Sequence, residues 1–232
     1  MNSKYKEVFK SSLHDREAFW AKAAEDVRWF KKYDQVLDAS NPPFYKWFKG
    51  GTINTCFNAL DRHVEEGNGE RTALIYDSAM SNTKKKYSYK QLTDEVSILA
   101  GALQRQGVVK GDRIIIYMPM IPEAIMAMLA CARIGAIHSV VFGGFASPEL
   151  ASRIDDSKAK LILSASCGLE PGRVVEYKPL LVEAIKLAKH KPDKTIIFQR
   201  DQHKAILDGN DIDWIDFIKS APSAPCTECD AN

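Results

Sequence analysis

Residues 111–144 read GDRIIIYMPMIPEAIMAMLACARIGAIHSVVFGG, and this stretch decides the fold class. Ile114 to Tyr117 is an apolar run of strand length, closed by Pro119. Pro122 suits the first turn of a helix, where a missing N–H costs nothing, and Gly135 closes that helix. Ile137 to Phe142 is the next apolar run, and Gly143-Gly144 follows it directly. Two continuous apolar strands joined by a helix imply a mainly parallel sheet covered on both faces. Pro119, Pro122 and Glu123 interrupt the apolar stretch Ile114 to Ala132, so it does not read as a membrane span.

The same unit recurs on either side. Downstream, Ser147 is expected to cap a helix with Pro148 in its first turn. Lys160 to Ser164 then reads as a strand, Pro179 to His190 as a helix and Thr195 to Phe198 as a strand. Asp211 is the expected cap of a last helix carrying Trp214, Phe217 and Ile218. Upstream, Ser88 and Gln91 have capping-box spacing, because each side chain can satisfy the other residue's free backbone N–H. That helix carries Leu92, Val96, Leu99, Ala100 and Leu103 on one face and ends at Gly107. Thr72 to Tyr76 is a strand, and Lys84 to Lys86 read as a solvated hairpin loop. Phe57, Leu60 and Val64 give a short helical face before the turn at Gly67-Asn68-Gly69.

The pattern differs before Thr55. Asp15 to Lys32 predicts an amphipathic helix carrying Phe19, Trp20, Ala23, Val27 and Phe30. The aromatic stretch Asn41 to Phe48, followed by Gly50-Gly51, predicts irregular chain pinned by buried rings. Its expected role is a packed arm.

Composition narrows the function classes. The 232 residues are 45% hydrophobic and 27% charged, the balance of a globular chain and not of a disordered one. Lys and Arg total 32 against 30 Asp and Glu, a net charge of +2, which gives no reason to expect a nucleic acid or a membrane as partner. Any anion site has to be local. The first twenty residues lack an apolar core and carry Glu7, Asp15 and Glu17, against secretion and against a transit peptide. The expected location is cytoplasmic, with the mitochondrial matrix as alternative. Cys56, Cys131 and Cys167 stand alone as thiols of the core or near the surface. Cys226 and Cys229 form a CxxC without two further ligands, so a solvated tail is expected there and no metal site.

Ligands of parallel sheets sit at the carboxyl ends of the strands. Two such ends carry candidate residues. At Phe142-Gly143-Gly144, the glycines either let a ligand approach the backbone or serve a tight turn needing positive φ. At Ser164 to Arg173, the turn Glu170-Pro171-Gly172-Arg173 presents one guanidinium, either a phosphate ligand or an ordinary surface arginine. A dinucleotide fingerprint, a GxxxxGK[ST] loop and a GxSxG elbow are absent. The five histidines are scattered, so no catalytic residue is proposed.

Tyr45 to His63 is similar to the characteristic opening of acetyl-CoA and propionyl-CoA synthetases. So are Gly111-Asp112-Arg113, Pro119 to Glu123, Ala132 to Ala136, and Val141 to Leu150 with Arg153-Ile154. Together these cover nearly the whole chain in the family's order. The chain thus resembles the N-terminal portion of an AMP-forming short-chain acyl-CoA synthetase. The resemblance implies an α/β fold: a helical N-terminal arm over residues 1–58, then an incomplete, mainly parallel α/β domain of the adenylate-forming superfamily over 59–232. It further implies a ligase that joins a short carboxylate to CoA at the expense of ATP through an acyl adenylate. Phe142, Gly143 and Gly144 match positions lining the CoA adenine. Glu170, Pro171, Gly172 and Arg173 match the CoA nucleotide loop, with Arg173 at the 3′-phosphate. Acetyl-type members commonly begin that loop with arginine, and Glu170 leans toward the propionyl-preferring branch. The family's phosphate loop, acyl pocket and C-terminal lid lie beyond Asn232. The chain alone is therefore expected to be inactive, with a partial CoA site. ATP and Mg2+ belong to the full-length form. The alternative is a non-catalytic module that binds the CoA nucleotide or pairs with full-length subunits.

Overall fold

The computed structural model describes residues 3–232. The chain divides into two compact units, one holding the residues up to Asn54 with Glu228–Asn232, the other Thr55–Thr227.

The smaller unit starts with helices α1 (Ser3–His14) and α2 (Arg16–Ala23), followed by a 3-10 turn at Ala24–Asp26. The single helix expected over Asp15 to Lys32 is therefore corrected: it stops at Ala23. Beyond it the N–H groups of Phe30 and Lys31 bond across to the Thr52 carbonyl, at 3.0 and 3.3 Å, instead of back along a helix. Strands β1 (Gln35–Asp38) and β2 (Lys46–Lys49) form an antiparallel hairpin, and β3 (Thr52–Ile53) pairs with Cys229–Asp230. The aromatic stretch is thus partly regular. Phe44 and Tyr45, expected to be buried, are 75% and 53% exposed. The pinning is done by the rings of Trp29, Tyr33 and Phe48, whose centroids lie 5.0–5.3 Å apart.

The larger unit opens with wide-wound helical turns at Phe57–Asp61 and Val64–Asn68. A hairpin follows, β4 (Thr72–Ser78) and β5 (Thr83–Ser88). Lys84 to Lys86 lie within β5 as exposed strand residues, and the loop is the preceding residues 79–82. Helix α3 (Tyr89–Arg105) starts with the expected capping box: Gln91 N–H donates to Ser88 Oγ at 3.2 Å, and Ser88 N–H to Gln91 Oε1 at 2.9 Å. Then come β6 (Arg113–Met118), α4 (Pro122–Arg133), β7 (Ile137–Phe142), α5 (Ser147–Ser157) and β8 (Leu161–Ala165). A second hairpin, β9 (Cys167–Glu170) with β10 (Arg173–Glu176), leads into α6 (Tyr177–Leu187). The unit continues with β11 (Lys194–Phe198), β12 (Asp211–Asp213) and α7 (Trp214–Ile218).

Five strands form one parallel sheet in the order β12-β11-β8-β6-β7. Side chains alternate between its faces. Ile114, Ile116, Leu161, Leu163 and Ile196 pack with α3, α4 and α7 in one core. Ile115, Tyr117, Val141 and Ile162 pack with α5 and α6 in the other. Each such side chain contributes about 1.5–3 kcal/mol of burial. Strand β7 departs from the expected fully buried strand. It is an edge, with only Val141 fully covered while Ile137, Val140 and Phe142 are 50–67% exposed.

Three local expectations at helix ends are corrected. Ser147 does not cap α5. Ala146 holds the cap position, and the buried Ser147 hydroxyl donates instead to the Leu180 carbonyl at 3.1 Å, tying α5 to α6. Asp213, not Asp211, caps α7, accepting from Ile215 N–H at 2.8 Å; Asp211 pairs with Lys178. Helix α6 runs Tyr177–Leu187, because the chain turns extended at Ala188.

The segment after α7 is packed, not solvated. Arg133, at the end of α4, makes a two-pronged ion pair with Asp61 at 2.7 and 2.8 Å, and its Nε donates to the Ala224 carbonyl at 2.6 Å. Cys226 lies half-buried beside buried Cys56 and Asp61, their ligand atoms all within 4.8 Å of one another. The expectation that Cys56 stands alone and that Cys226 belongs to a loose CxxC is thereby overturned, and Cys229 sits in the smaller unit's strand instead. Asp61 is engaged by the Arg133 guanidinium, which opposes a cation at the cluster. Gly101 of α3 lets the strap approach, since a Cβ there would collide with the Pro222 carbonyl oxygen.

That contact gives a test. Gly101→Ala removes helix-interior flexibility, which by itself favours folding, yet overpacks the strap. Urea unfolding should show a net loss of about 1–3 kcal/mol. A variant as stable as the parent would show that the strap yields without cost.

Candidate functional site

The carboxyl ends of β6 and β7 open into a cleft of about 480 Å³. Met118, Phe142 and Gly143 form its sheet side, the β9–β10 hairpin contributes Gly168 to Glu170, and the β4–β5 hairpin contributes Tyr76 to Met80. Tyr177 and Arg200 also line it. Its volume falls in the range of small-molecule sites.

Of the sequence-selected residues, Phe142, Gly143 and Glu170 line this cleft, whereas Gly144, Pro171, Gly172 and Arg173 are not among its lining residues. The Phe142-Gly143-Gly144 loop is held by the Tyr117 hydroxyl, which donates to the Phe145 carbonyl at 3.0 Å. Gly143 is required by packing: a Cβ would strike the Tyr177 hydroxyl and come within 2.9 Å of the Met118 carbonyl oxygen. Gly144 has φ of +121°, and the space where its Cβ would point is open. The reading of the glycines as a tight turn is thus sufficient on geometry, and Gly144 is the one whose backbone is open to approach. Phe142 is 67% exposed at the mouth, its ring 5.9 Å from that of Phe145, and Arg153 lies over the Phe145 ring at 5.8 Å.

Glu170-Pro171-Gly172-Arg173 is the turn of the β9–β10 hairpin, and Gly172 supplies its positive φ of +77°. Arg173 is exposed, and its Nε and Nη2 both donate to Glu170 Oε2, at 2.7 and 2.6 Å. The carboxylate therefore holds the guanidinium in place. As an exposed pair it adds little stability, on the order of 0–1 kcal/mol.

Two residues escaped the sequence reading. Tyr177 is buried between Gly143 and Gly168, with its ring 4.9 Å from Tyr117, and burial pushes its hydroxyl up to about 12. Arg200 lies two residues beyond the end of β11 and is only 8% exposed. The rule that ligands gather at strand carboxyl ends applied to Arg200 as much as to Gly143, so its position was a usable signal. Nothing local marked Tyr177. A smaller hollow of about 130 Å³ shares Tyr76, Ile121 and Arg200 with the cleft and contains Glu123 and Lys85. Among the described residues, no helix is long and apolar enough to cross a membrane.

Residues 60–227 match the family model of the AMP-binding enzyme, and residues 5–59 match that of the acetyl-coenzyme A synthetase N-terminus. The chain belongs to the AMP-binding enzyme family. It is similar to the mitochondrial acyl-CoA synthetase short-chain family member 3 of Rattus norvegicus, 51% identical over 224 residues, covering 96% of this chain and 33% of that protein. It is also similar to the propionate–CoA ligase of Escherichia coli (strain K12), 46% identical over 211 residues, covering 90% of this chain and 33% of the ligase. Among solved structures, the acetoacetyl-CoA synthetase from Streptomyces lividans superposes with a TM-score of 0.84 at 22% identity, over 95% of this chain and 34% of that one. That likeness shows the fold, an α/β arrangement of the AMP-binding family. The chain spans about a third of the length of the curated relatives it matches.

Glu123 offers a measurement on the smaller hollow. Burial raises its carboxyl above the ordinary glutamate range, against the opposing pull of Lys85 and Arg200. A raised folded-state value gives stability that is complete below the unfolded pKa and lost as pH rises through the folded one. Glu123→Gln should therefore be more stable than the parent at pH 7, the difference vanishing as pH falls below the unfolded glutamate range. Urea melts across that range check it, and a constant difference would contradict it.

Proposed function

We propose that this chain carries the CoA-facing part of a ligase that forms acyl-CoA from a short carboxylate (propionate or acetate), ATP and CoA through an acyl adenylate. One observation carries the reading: Phe142, Gly143 and Glu170, separated in sequence, border a single cleft at the strand ends, and Glu170 in turn holds Arg173. The names of the relatives, an acyl-CoA synthetase and a propionate–CoA ligase, agree with that chemistry. In this reading residues 1–58 are the N-terminal segment and 59–232 the N-terminal part of the AMP-binding domain.

Within the cleft, Phe142 offers an exposed ring for an adenine to stack on, with Gly143 and Gly144 beside it presenting backbone without side chains. Arg173, held by Glu170, faces solvent at the rim and meets the 3′-phosphate of CoA there. CoA, once bound, supplies the thiolate that takes the acyl group from the adenylate. Glu170 and the phosphate compete for the Arg173 guanidinium, so Pro171 and Gly172 serve by fixing the turn that presents it.

In this reading adenylation, with ATP and Mg2+, belongs to the full-length form of the enzyme. The second reading is a non-catalytic CoA-nucleotide module or one that associates with full-length subunits. The exposed apolar residues of edge strand β7, Ile137, Val140 and Phe142, favour such association.

The chain should release no AMP from ATP, CoA and propionate or acetate above a heat-inactivated control, and measurable AMP would overturn that. Calorimetry should show weak CoA binding that falls as salt is raised. Arg173→Ala should weaken it about tenfold, the scale of one lost charge-assisted contact. Affinity untouched by the substitution would remove Arg173 from the site.

A further inference from the structure

Arg200 lies where β11 ends, on the wall shared by the cleft and the smaller hollow. It is 8% exposed. Its backbone N–H donates to Ser166 Oγ at 2.8 Å, and its Nη1 donates to the Cys167 carbonyl at 3.0 Å. Those bonds fix the backbone and one corner of the guanidinium. Among the described residues, Nε and Nη2 have no hydrogen-bond acceptor, and no carboxylate makes an ion pair with the group. Neither nitrogen is sealed off from the surface, and Arg200 lines both hollows.

The carboxylates nearby do not supply the missing partner. Glu170 is taken by Arg173 and Asp77 by Lys84. Glu123 and Asp201 line only the smaller hollow, together with Lys85 of β5, and neither forms an ion pair with Arg200. An arginine cannot shed its charge, and a nine-tenths buried cation without an ion-pair partner is costly, since Glu123 acts on it only at longer range. Two adjacent N–H groups left facing a cavity match the geometry of a phosphoryl or carboxylate oxygen pair.

We propose that Arg200 is an anion-binding residue in the wall of the cleft and takes the diphosphate of a bound CoA, inside the rim where Arg173 takes the 3′-phosphate. The assignment of the diphosphate rests on the CoA reading above; the anion site itself rests on the unpartnered guanidinium. The cleft, at about 480 Å³, has room for more than a lone phosphate. Arg173 and Arg200 thus divide the work: one is exposed and already neutralised by Glu170, the other is buried and without an ion-pair partner. The buried one holds the stronger bond, because a charge-assisted contact gains strength where water is excluded.

The test compares CoA with dephospho-CoA, which keeps the diphosphate and lacks the 3′-phosphate, by calorimetry on the whole chain. Arg200→Gln keeps an N–H for the Cys167 carbonyl while removing the charge. It should weaken both ligands about tenfold or more, whereas Arg173→Ala should weaken CoA alone. Arg200→Lys, which restores the charge, should recover most of the loss. Equal affinities for the parent and Arg200→Gln, or equal losses in the Gln and Lys variants, would overturn the inference and leave Arg200 a brace for the β9 backbone. If the parent binds neither ligand, the CoA reading fails. Inorganic pyrophosphate then decides the anion site alone: salt-sensitive binding lost in Arg200→Gln sustains it, and no binding overturns it. Should the Gln variant fail to fold, the Arg200 Nε–H resonance of the parent decides, a shift on adding dephospho-CoA supporting the site and an unmoved signal overturning it.

Discussion

Strand β6 is buried on every side, and the larger unit is arranged around that constraint. Its backbone pairs with β7 and β8 in parallel, one on each edge. Its side chains alternate between two cores, Ile114 and Ile116 on one side and Ile115 and Tyr117 on the other, each with no measurable exposure. Two apolar faces demand two helical layers, and right-handed crossovers supply them. The only place left for polar chemistry is beyond the strand ends, where backbone groups stop pairing and loops diverge. The cleft at Met118 and Phe142 follows from that exclusion.

A second constraint acts at the opposite border of the α3–α4 core. Arg133 is buried and permanently charged, so its position is tolerable only with Asp61 in the two-pronged pair and the Ala224 carbonyl on its third nitrogen. Removing either partner would strand a buried charge, at about 3–5 kcal/mol by analogy with other buried pairs. The arrangement joins three distant pieces of chain, the first helical turns, the end of α4 and the strap after α7. It also shapes the neighbouring thiols: the hydrogen bond from Cys226 and the nearby guanidinium lower the Cys56 thiol, while the same bond and burial raise that of Cys226.

The cleft shows how packing and binding share residues. Gly143 and Gly168 are both needed because Tyr177 occupies the volume their side chains would fill. Tyr177 in turn stacks on Tyr117, whose hydroxyl holds the Phe142–Phe145 loop. The loop geometry is therefore set from beneath by two tyrosines, before any ligand is considered. A glycine pair after a strand can look like a ligand feature and still have a complete structural cause. Arg200 is different, because among the described residues no ion pair completes its charge.

The sequence by itself determined the alternation of strands and helices, the capping box at Ser88 and Gln91, the glycine stops at Gly107 and Gly135, and the family through motifs spread along the chain. These are readable because periodicity, caps and positive-φ glycines act over a few neighbouring residues. Tertiary structure alone decided that β7 is an edge, that Lys84 to Lys86 belong to a strand, and that Ser147 bonds to α6 instead of capping α5. It also decided that Cys226 meets Cys56, and that Tyr177 and Arg200 reach the same cleft as Gly143. Strand order, partner choice and the volume left between elements depend on contacts between residues far apart in the chain, and no local pattern encodes which distant side chain will fill a given space.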